Sequence, residues 1–226
     1  MKTKYDEAIR FFNMKRWDTA LQAFLQVDAG GYGPEEKAEL AYYLGLCYTK
    51  LERFNDALLY LEQVVSANAE TLRTCQCRLT LAYIYMSTGR PKMAEFELDR
   101  LVKGGFQSAQ IHTMLGFSAW LQKHYKLAIE CYERALRLDA NNATAMNCLG
   151  YILADTGENV RRGLELCRMA VEKRPNSAAY MDSLGWAHYK CGELTEARFW
   201  LRRALDLAPR QREISGHMKT LVDEAS

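Results

Sequence analysis

Apolar residues along this chain fall into paired helical stripes with a short polar break between them. The stretch SLGWAHYKCGELTEARFWLRRAL, Ser183 to Leu205, shows the arrangement. Ala197, Leu201 and Ala204 follow at steps of four and three, which puts them on one face of a helix. Gly192 stands at the break, and another apolar run precedes it. The stretch predicts a helix, a glycine-centred turn and a second helix. Far upstream, Tyr43 to Val65 reads YLGLCYTKLERFNDALLYLEQVV. The two align without a gap, Gly45 on Gly185 and Ala57 on Ala197.

The same unit recurs along the whole chain. A small residue in the middle of each first helix gives the series Ala8, Gly45, Ala82, Gly116, Gly150 and Gly185, at intervals of 37, 37, 34, 34 and 35 residues. A second small residue follows twelve or thirteen positions later: Ala20, Ala57, Ala94, Ala128, Gly163 and Ala197. Four residues on stand Phe24, Leu61, Leu98, Tyr132, Cys167 and Leu201. Glycine inside a helix costs roughly 1 kcal/mol relative to alanine. Close approach of the partner helix, with Ala20, Ala57, Ala94, Ala128 and Ala197 as the facing small residues, is the expected compensation. Gly89, Gly157 and Gly192 suit the turns between helices. A lone hairpin cannot bury its apolar face, so copies are expected to stack and share a core. Beyond the last unit, Ile214, Met218 and Leu221 form one stripe of a further helix, with Lys219, Asp223 and Glu224 off it. At the other end, Lys2, Lys4, Asp6 and Arg10 give the first helix a polar face of its own.

These positions together resemble the tetratricopeptide repeat. Each unit carries, in whole or part, the pattern Leu-Gly-x-x-Tyr, Gly, Ala-x-x-x-Phe-x-x-Ala and a closing Pro such as Pro175 or Pro209. Three departures stand out: Glu7 where the family has Leu, Phe106 where Pro would close the third unit, and an extra residue between Gly157 and Gly163. The resemblance implies an all-α, right-handed α-solenoid of six helix-turn-helix repeats plus a C-terminal capping helix. It implies a single solenoid over 1–226, with repeats at about 1–34, 38–71, 75–108, 109–142, 143–177 and 178–211 and the capping helix at about 212–224.

Composition narrows the function classes. The chain has 226 residues, 49% hydrophobic and 26% charged, with 4 prolines and 14 glycines, the balance of an ordinary globular protein. A net charge of +2 and the lack of a basic run argue against nucleic acid as a partner. No apolar run is long enough for a membrane helix, and MKTKYDEAIRFF lacks a signal-peptide core. Seven irregularly spaced cysteines read as reduced, buried thiols, which suits the cytoplasm. The soluble part of an exported protein whose leader has been removed is the alternative.

Candidate chemistry is sparse. His112, His124, His188 and His217 lie in different units and form no zinc-type pairing. His188 occupies the slot held by Tyr48 and Tyr85 elsewhere and is expected to be core. No nucleophile elbow, Walker loop or dinucleotide fingerprint is present. The expectation is a protein that is not an enzyme and needs no cofactor or metal.

The resemblance instead implies a binding surface, because the first helix of each repeat lines a concave face in this family. The positions that would point inward are Tyr42 and Leu46 in the second unit, Leu79, Tyr83 and Met86 in the third, and Thr113, Phe117 and Trp120 in the fourth. Asn147 and Tyr151 follow in the fifth, and Asp182, Trp186 and Tyr189 in the sixth. That face is aromatic and apolar, and monomers seldom expose apolar patches above about 600 Å². The Lys and Asn carboxylate clamp of chaperone-tail binders is not matched, since Tyr5 and Ile9 stand where it would begin. The expected function is therefore protein–protein interaction, as an adaptor, scaffold or chaperone. The expected ligand is an apolar extended segment or an amphipathic helix, held at about −8 kcal/mol. Two alternatives are a self-assembling homo-oligomer, in which a second copy closes the groove or the N-terminal unit with Phe11, Phe12 and Trp17, and a regulatory piece of a larger multidomain protein. Ten arginines and lysines of the last third, Arg161 to Arg212, are interleaved with glutamates and read as a solvated outer face.

Overall fold

The computed structural model describes residues 2–66 and 72–224, with side chains from Lys4 onward. The expected limits at residues 1, 71 and 226 and the side chain of Lys2 lie outside what is described. Thirteen α-helices and no strand occur among the described residues, the architecture of a helical-repeat solenoid.

The chain divides into two compact units, Met1–Gln107 and Ser108–Ser226. The first holds α1 (Lys2–Asn13), α2 (Trp17–Leu25), α3 (Pro34–Lys50), α4 (Phe54–Ser66), α5 (Leu72–Ser87) and α6 (Pro91–Lys103). The second holds α7 (Ala109–Leu121), α8 (Tyr125–Leu138), α9 (Ala143–Asp155), α10 (Val160–Lys173), α11 (Ala178–Lys190), α12 (Leu194–Leu207) and α13 (Arg212–Glu224). Odd and even helices pair as hairpins, three in each unit, and α13 packs on α12 and α11.

Each hairpin turns in the same way. Lys15, Glu52, Gly89, Lys123, Gly157 and Gly192 all have positive φ, between 57° and 80°. They repeat at the same intervals as the glycine and alanine series. Past five of them the next N–H reaches back five residues, for example Arg53 N–H to Tyr48 O at 2.9 Å and Glu193 N–H to His188 O at 3.0 Å. That is the Schellman closure of a helix C-terminus. In the fifth hairpin the bond runs from Asn159 N–H to Leu153 O, one residue longer, which is where the sequence carries its extra residue. Side-chain oxygens of Ser108, Asn142, Asn159 and Ser177 then cap the N-termini of α7, α9, α10 and α11.

The mid-helix glycines mark close contacts, but the contacting residue differs from the expected one. Ala20, Ala57, Ala94, Ala128 and Ala197 are fully buried, yet the nearest atoms to a Cβ built on each glycine belong to the larger residue four positions further on. At Gly45 this is Leu61 Cδ2 at 2.6 Å, at Gly116 the Tyr132 ring at 2.8 Å, and at Gly185 Leu201 Cγ at 2.8 Å. Gly150 meets Cys167 Sγ at 2.7 Å and Gly163 O at 2.8 Å. The large side chain of the second helix lies against bare backbone of the first, and the alanine fills the space beside it.

The end of the second unit is closed by α13. Ile214 packs with Met181 and Ala204, and Leu221 with Ala197 and Leu201. The arginines and lysines from Arg161 to Arg212 named above are all exposed.

Candidate functional site

In the first unit, the face formed by α3 and α5 carries four of the expected residues at or near the surface. Tyr83 is 50% exposed and meets Phe54 edge to face at 6.3 Å. Leu46 and Leu79 are half-buried. Tyr42 is half-buried too; its hydroxyl donates to Gln76 Oε1 at 2.7 Å, and Arg73 lies over its ring. Burial is the main reason that the Tyr42 hydroxyl is pushed up to about 12. Met86 departs from expectation: at 8% exposure it is part of the core. Phe12 and Trp17 pack edge to face at 5.2 Å, and Phe12 also meets Tyr43 at 5.1 Å, so the N-terminal aromatics are half-buried within their own unit.

In the second unit, α7, α9 and α11 bring five of the expected residues, Phe117, Trp120, Asn147, Tyr151 and Asp182, around one cavity of about 220 Å³, whose lining does not include Thr113, Trp186 or Tyr189. Phe117 and Trp120, one turn apart on α7, stack at 5.6 Å with 21° between rings and form one wall. Phe117 is 37% exposed. Tyr151 and Asn147, one turn apart on α9, and Asp182 on α11 also line the cavity. Tyr132 and Cys148 line it as well. Burial raises the Tyr132 hydroxyl far above the usual phenol range and the Cys148 thiol to about 11. The thiol is therefore protonated at neutral pH and is a poor nucleophile.

Asn147 is the unusual group here. It is 8% exposed, and its Oδ1 is buried with no hydrogen-bond partner. A buried acceptor left unpaired costs roughly 1–3 kcal/mol, so such groups are rare in folded proteins unless something binds them.

Helix α13 completes the cavity with Glu213 and His217. His217 Nδ1 lies 2.9 Å from Asp182 Oδ1, and its ring stacks on Trp186 at 4.3 Å. Trp186 in turn donates Nε1–H to Asp155 Oδ1 at 2.9 Å and stacks with Tyr189 at 4.8 Å. Of the expected face residues, Thr113, Asn147, Asp182 and Trp186 are buried, with Asn147 and Asp182 lining the cavity and Thr113 and Trp186 outside it. Thr113 Oγ1 donates to Ala109 O within its own helix, and α13 lies against Asp182 and Trp186. Sequence reasoning missed Glu213 and His217. His217 does sit three residues after Ile214 and four before Leu221, on the stripe already recognised, and that spacing was the available signal.

The remaining histidines are structural or solvated. His188 is buried, with Nδ1 2.6 Å from Glu193 Oε2. His112 is held below the usual histidine range by burial, then by Arg134 and Arg137. No metal-binding cluster occurs among the described residues.

Comparison with known proteins agrees with this architecture. Family profiles described as tetratricopeptide repeat match residues 5–71 and 178–211, and one described as TPR repeat matches 121–157. The TPR repeat-containing protein PA4667 of Pseudomonas aeruginosa is 38% identical over 80 residues, 35% of this chain and 13% of that protein. Human Protein O-mannosyl-transferase TMTC1 is 26% identical over 180 residues, 76% of this chain and 20% of that protein. The chain thus spans only a small part of the length of these two relatives. Among solved structures, the APC/C hetero-tetramer Cut9-Hcn1 superposes with a TM-score of 0.79 at 14% identity, over 97% of this chain and 42% of that one. TTC0263 of Thermus thermophilus gives 0.64 at 18% identity, over 82% and 98%. YrrB, described as a TPR protein with an unusual peptide-binding site, gives 0.59 at 18%, over 80% and 92%. The repeating turn, the glycine contacts and profiles covering more than half of the chain lead to one assignment: the chain belongs to the tetratricopeptide repeat family.

Proposed function

We propose that this chain is a non-enzymatic interaction module that holds a polypeptide segment against its first helices, as an adaptor, scaffold or chaperone does. The observation that carries the reading is the second unit's cavity, with its stacked Phe117 and Trp120 wall and the unpaired acceptor of Asn147. Stacked aromatics offer large contact area at small entropic cost. The partly exposed Tyr83 and half-buried Leu79 and Tyr42 offer a second apolar face in the first unit. Proteins of this fold act mostly by binding, and the reading gives this chain no catalytic step. YrrB, with its peptide-binding site, is a precedent for such binding on this fold.

No helix among the described residues is long and apolar enough to cross a membrane. Seven cysteines, none of them in a disulfide among the described residues, support a reducing compartment, the cytoplasm in this reading.

The test is a pull-down from native extract with wild type beside a Phe117→Ala/Trp120→Ala double variant, read by mass spectrometry. A polypeptide retained by wild type and lost by a variant of unchanged melting temperature supports the reading. Equal recovery by both would move binding away from the cavity, and recovery of the chain alone would favour self-assembly.

A further inference from the structure

We propose that the cavity of the second unit receives the guanidinium of an arginine side chain carried by the bound polypeptide. This rests on the interaction reading above and names the chemistry of its central contact.

Size comes first. Pockets for drug-sized ligands run to about 300–1,000 Å³. At about 220 Å³ this cavity suits one long side chain rather than a folded element. The wall chemistry then selects the side chain. Phe117 and Trp120 offer stacked aromatic rings, which attract a planar cation. Asn147 brings a buried acceptor with no donor. An aliphatic side chain would leave that acceptor unpaired.

Charge decides between the polar candidates. The titratable acids and bases lining the cavity, besides Tyr132, Tyr151 and Cys148, are Asp182, Glu213 and His217. His217 is engaged by Asp182. Nearby Asp155 is held by Trp186 Nε1 and by Lys190 Nζ at 3.6 Å. Glu213 is exposed and forms no ion pair among the described residues, and no lysine or arginine lines the cavity. Burial raises the Tyr151 hydroxyl, and Asp155, Asp182 and Glu213 raise it further, so three carboxylates act on one wall. A carboxylate ligand would be repelled there. An ammonium would satisfy the charge but not the stacking, whereas a guanidinium has several in-plane donors and aromatic-stacking faces together.

A phage-displayed library of random 12-residue peptides, selected on the full chain, tests this. The expected result is a shared arginine among selected peptides. Replacing that arginine by citrulline, which keeps the shape and loses the charge, should weaken binding about tenfold. Glu213→Gln, at an exposed position, should weaken the arginine peptide severalfold and leave the citrulline peptide unchanged, the signature of direct coupling. Selected peptides without a common arginine that are nonetheless lost on Phe117→Ala would overturn the proposal and leave the interaction reading standing. A shared arginine insensitive to Glu213→Gln would overturn it as well. Selection of no peptide at all would sink both.

Discussion

Gly150→Ala separates a packing role for the mid-helix glycines from mere tolerance of them. In an open helix the change should stabilise by up to about 1 kcal/mol. At Gly150 the new methyl would lie 2.7 Å from Cys167 Sγ, 2.8 Å from Gly163 O and 3.0 Å from Cys167 N. Two of these atoms are backbone, so a rotamer change cannot clear them. Overpacking of this kind costs about 1–3 kcal/mol, and backbone contact puts the cost at the upper end. The net expectation is a loss of about 2 kcal/mol, after the propensity gain. With a urea m-value of about 2 kcal/mol/M, the midpoint falls by about 1 M. Gly216 in α13 is the internal control, because a Cβ there meets nothing within 4 Å. Gly216→Ala, in the same unit, should raise the midpoint instead. The assay is urea unfolding followed by circular dichroism at 222 nm, with m compared across variants to check that the transition keeps its form. Equal stabilisation by the two substitutions would refute the close-contact account.

Three further outcomes are expected. Lys15→Gly, Glu52→Gly and Lys123→Gly each relieve a left-handed residue of φ between 57° and 62°, and each should stabilise by about 1 kcal/mol in thermal unfolding; lowered melting temperatures would contradict the turn assignment. Burial pushes the Cys47 and Cys77 thiols up to about 12 and Cys148 to about 11. Because a raised pKa keeps a thiol protonated through neutral pH, alkylation of these three by iodoacetamide should be slow at pH 8 and quicken toward pH 11, by peptide mass mapping; rapid labelling at pH 7.5 would count against their burial. His217→Ala leaves the buried Asp182 carboxylate without its partner and should destabilise docking of α13 by about 1–3 kcal/mol. Unchanged hydrogen exchange in Ile214–Leu221 would show that the pair holds nothing in place.

Much of the fold was legible because the repeat writes the same small residues at fixed intervals. What sits against them was not. Alanine at position 57 or 128 looks like the natural neighbour of glycine at 45 or 116, but helix crossing geometry directs Leu61 and Tyr132 there instead. The turns were half legible: Gly89, Gly157 and Gly192 announce positive φ, while Lys15, Glu52 and Lys123 adopt it without any residue signal. Of the proposed face, Phe117, Trp120, Asn147 and Tyr151 were readable from repeat position and do converge on one cavity. Met86 was not, since burial depends on how far the neighbouring hairpin leans over it. The stripe of α13 was visible, but where its His217 lands was not, because that is fixed by the docking of α13 on the last hairpin.

The helix that closes the last hairpin also supplies Glu213 and His217 to the cavity, so one segment performs two tasks whose free energies are linked. Helices that pack on one neighbouring hairpin are where local unfolding concentrates, and α13 packs on α11 and α12. Whenever α13 detaches, two of the cavity's lining side chains leave with it, and on the proposed reading the apparent affinity for a polypeptide would scale with the fraction of molecules in the docked state. The converse holds by mass action: an occupant that touches Glu213 protects α13 from detachment by RT ln(1 + [L]/Kd), with no change elsewhere in the chain. Ligand concentration would then be readable as slowed amide exchange in α13.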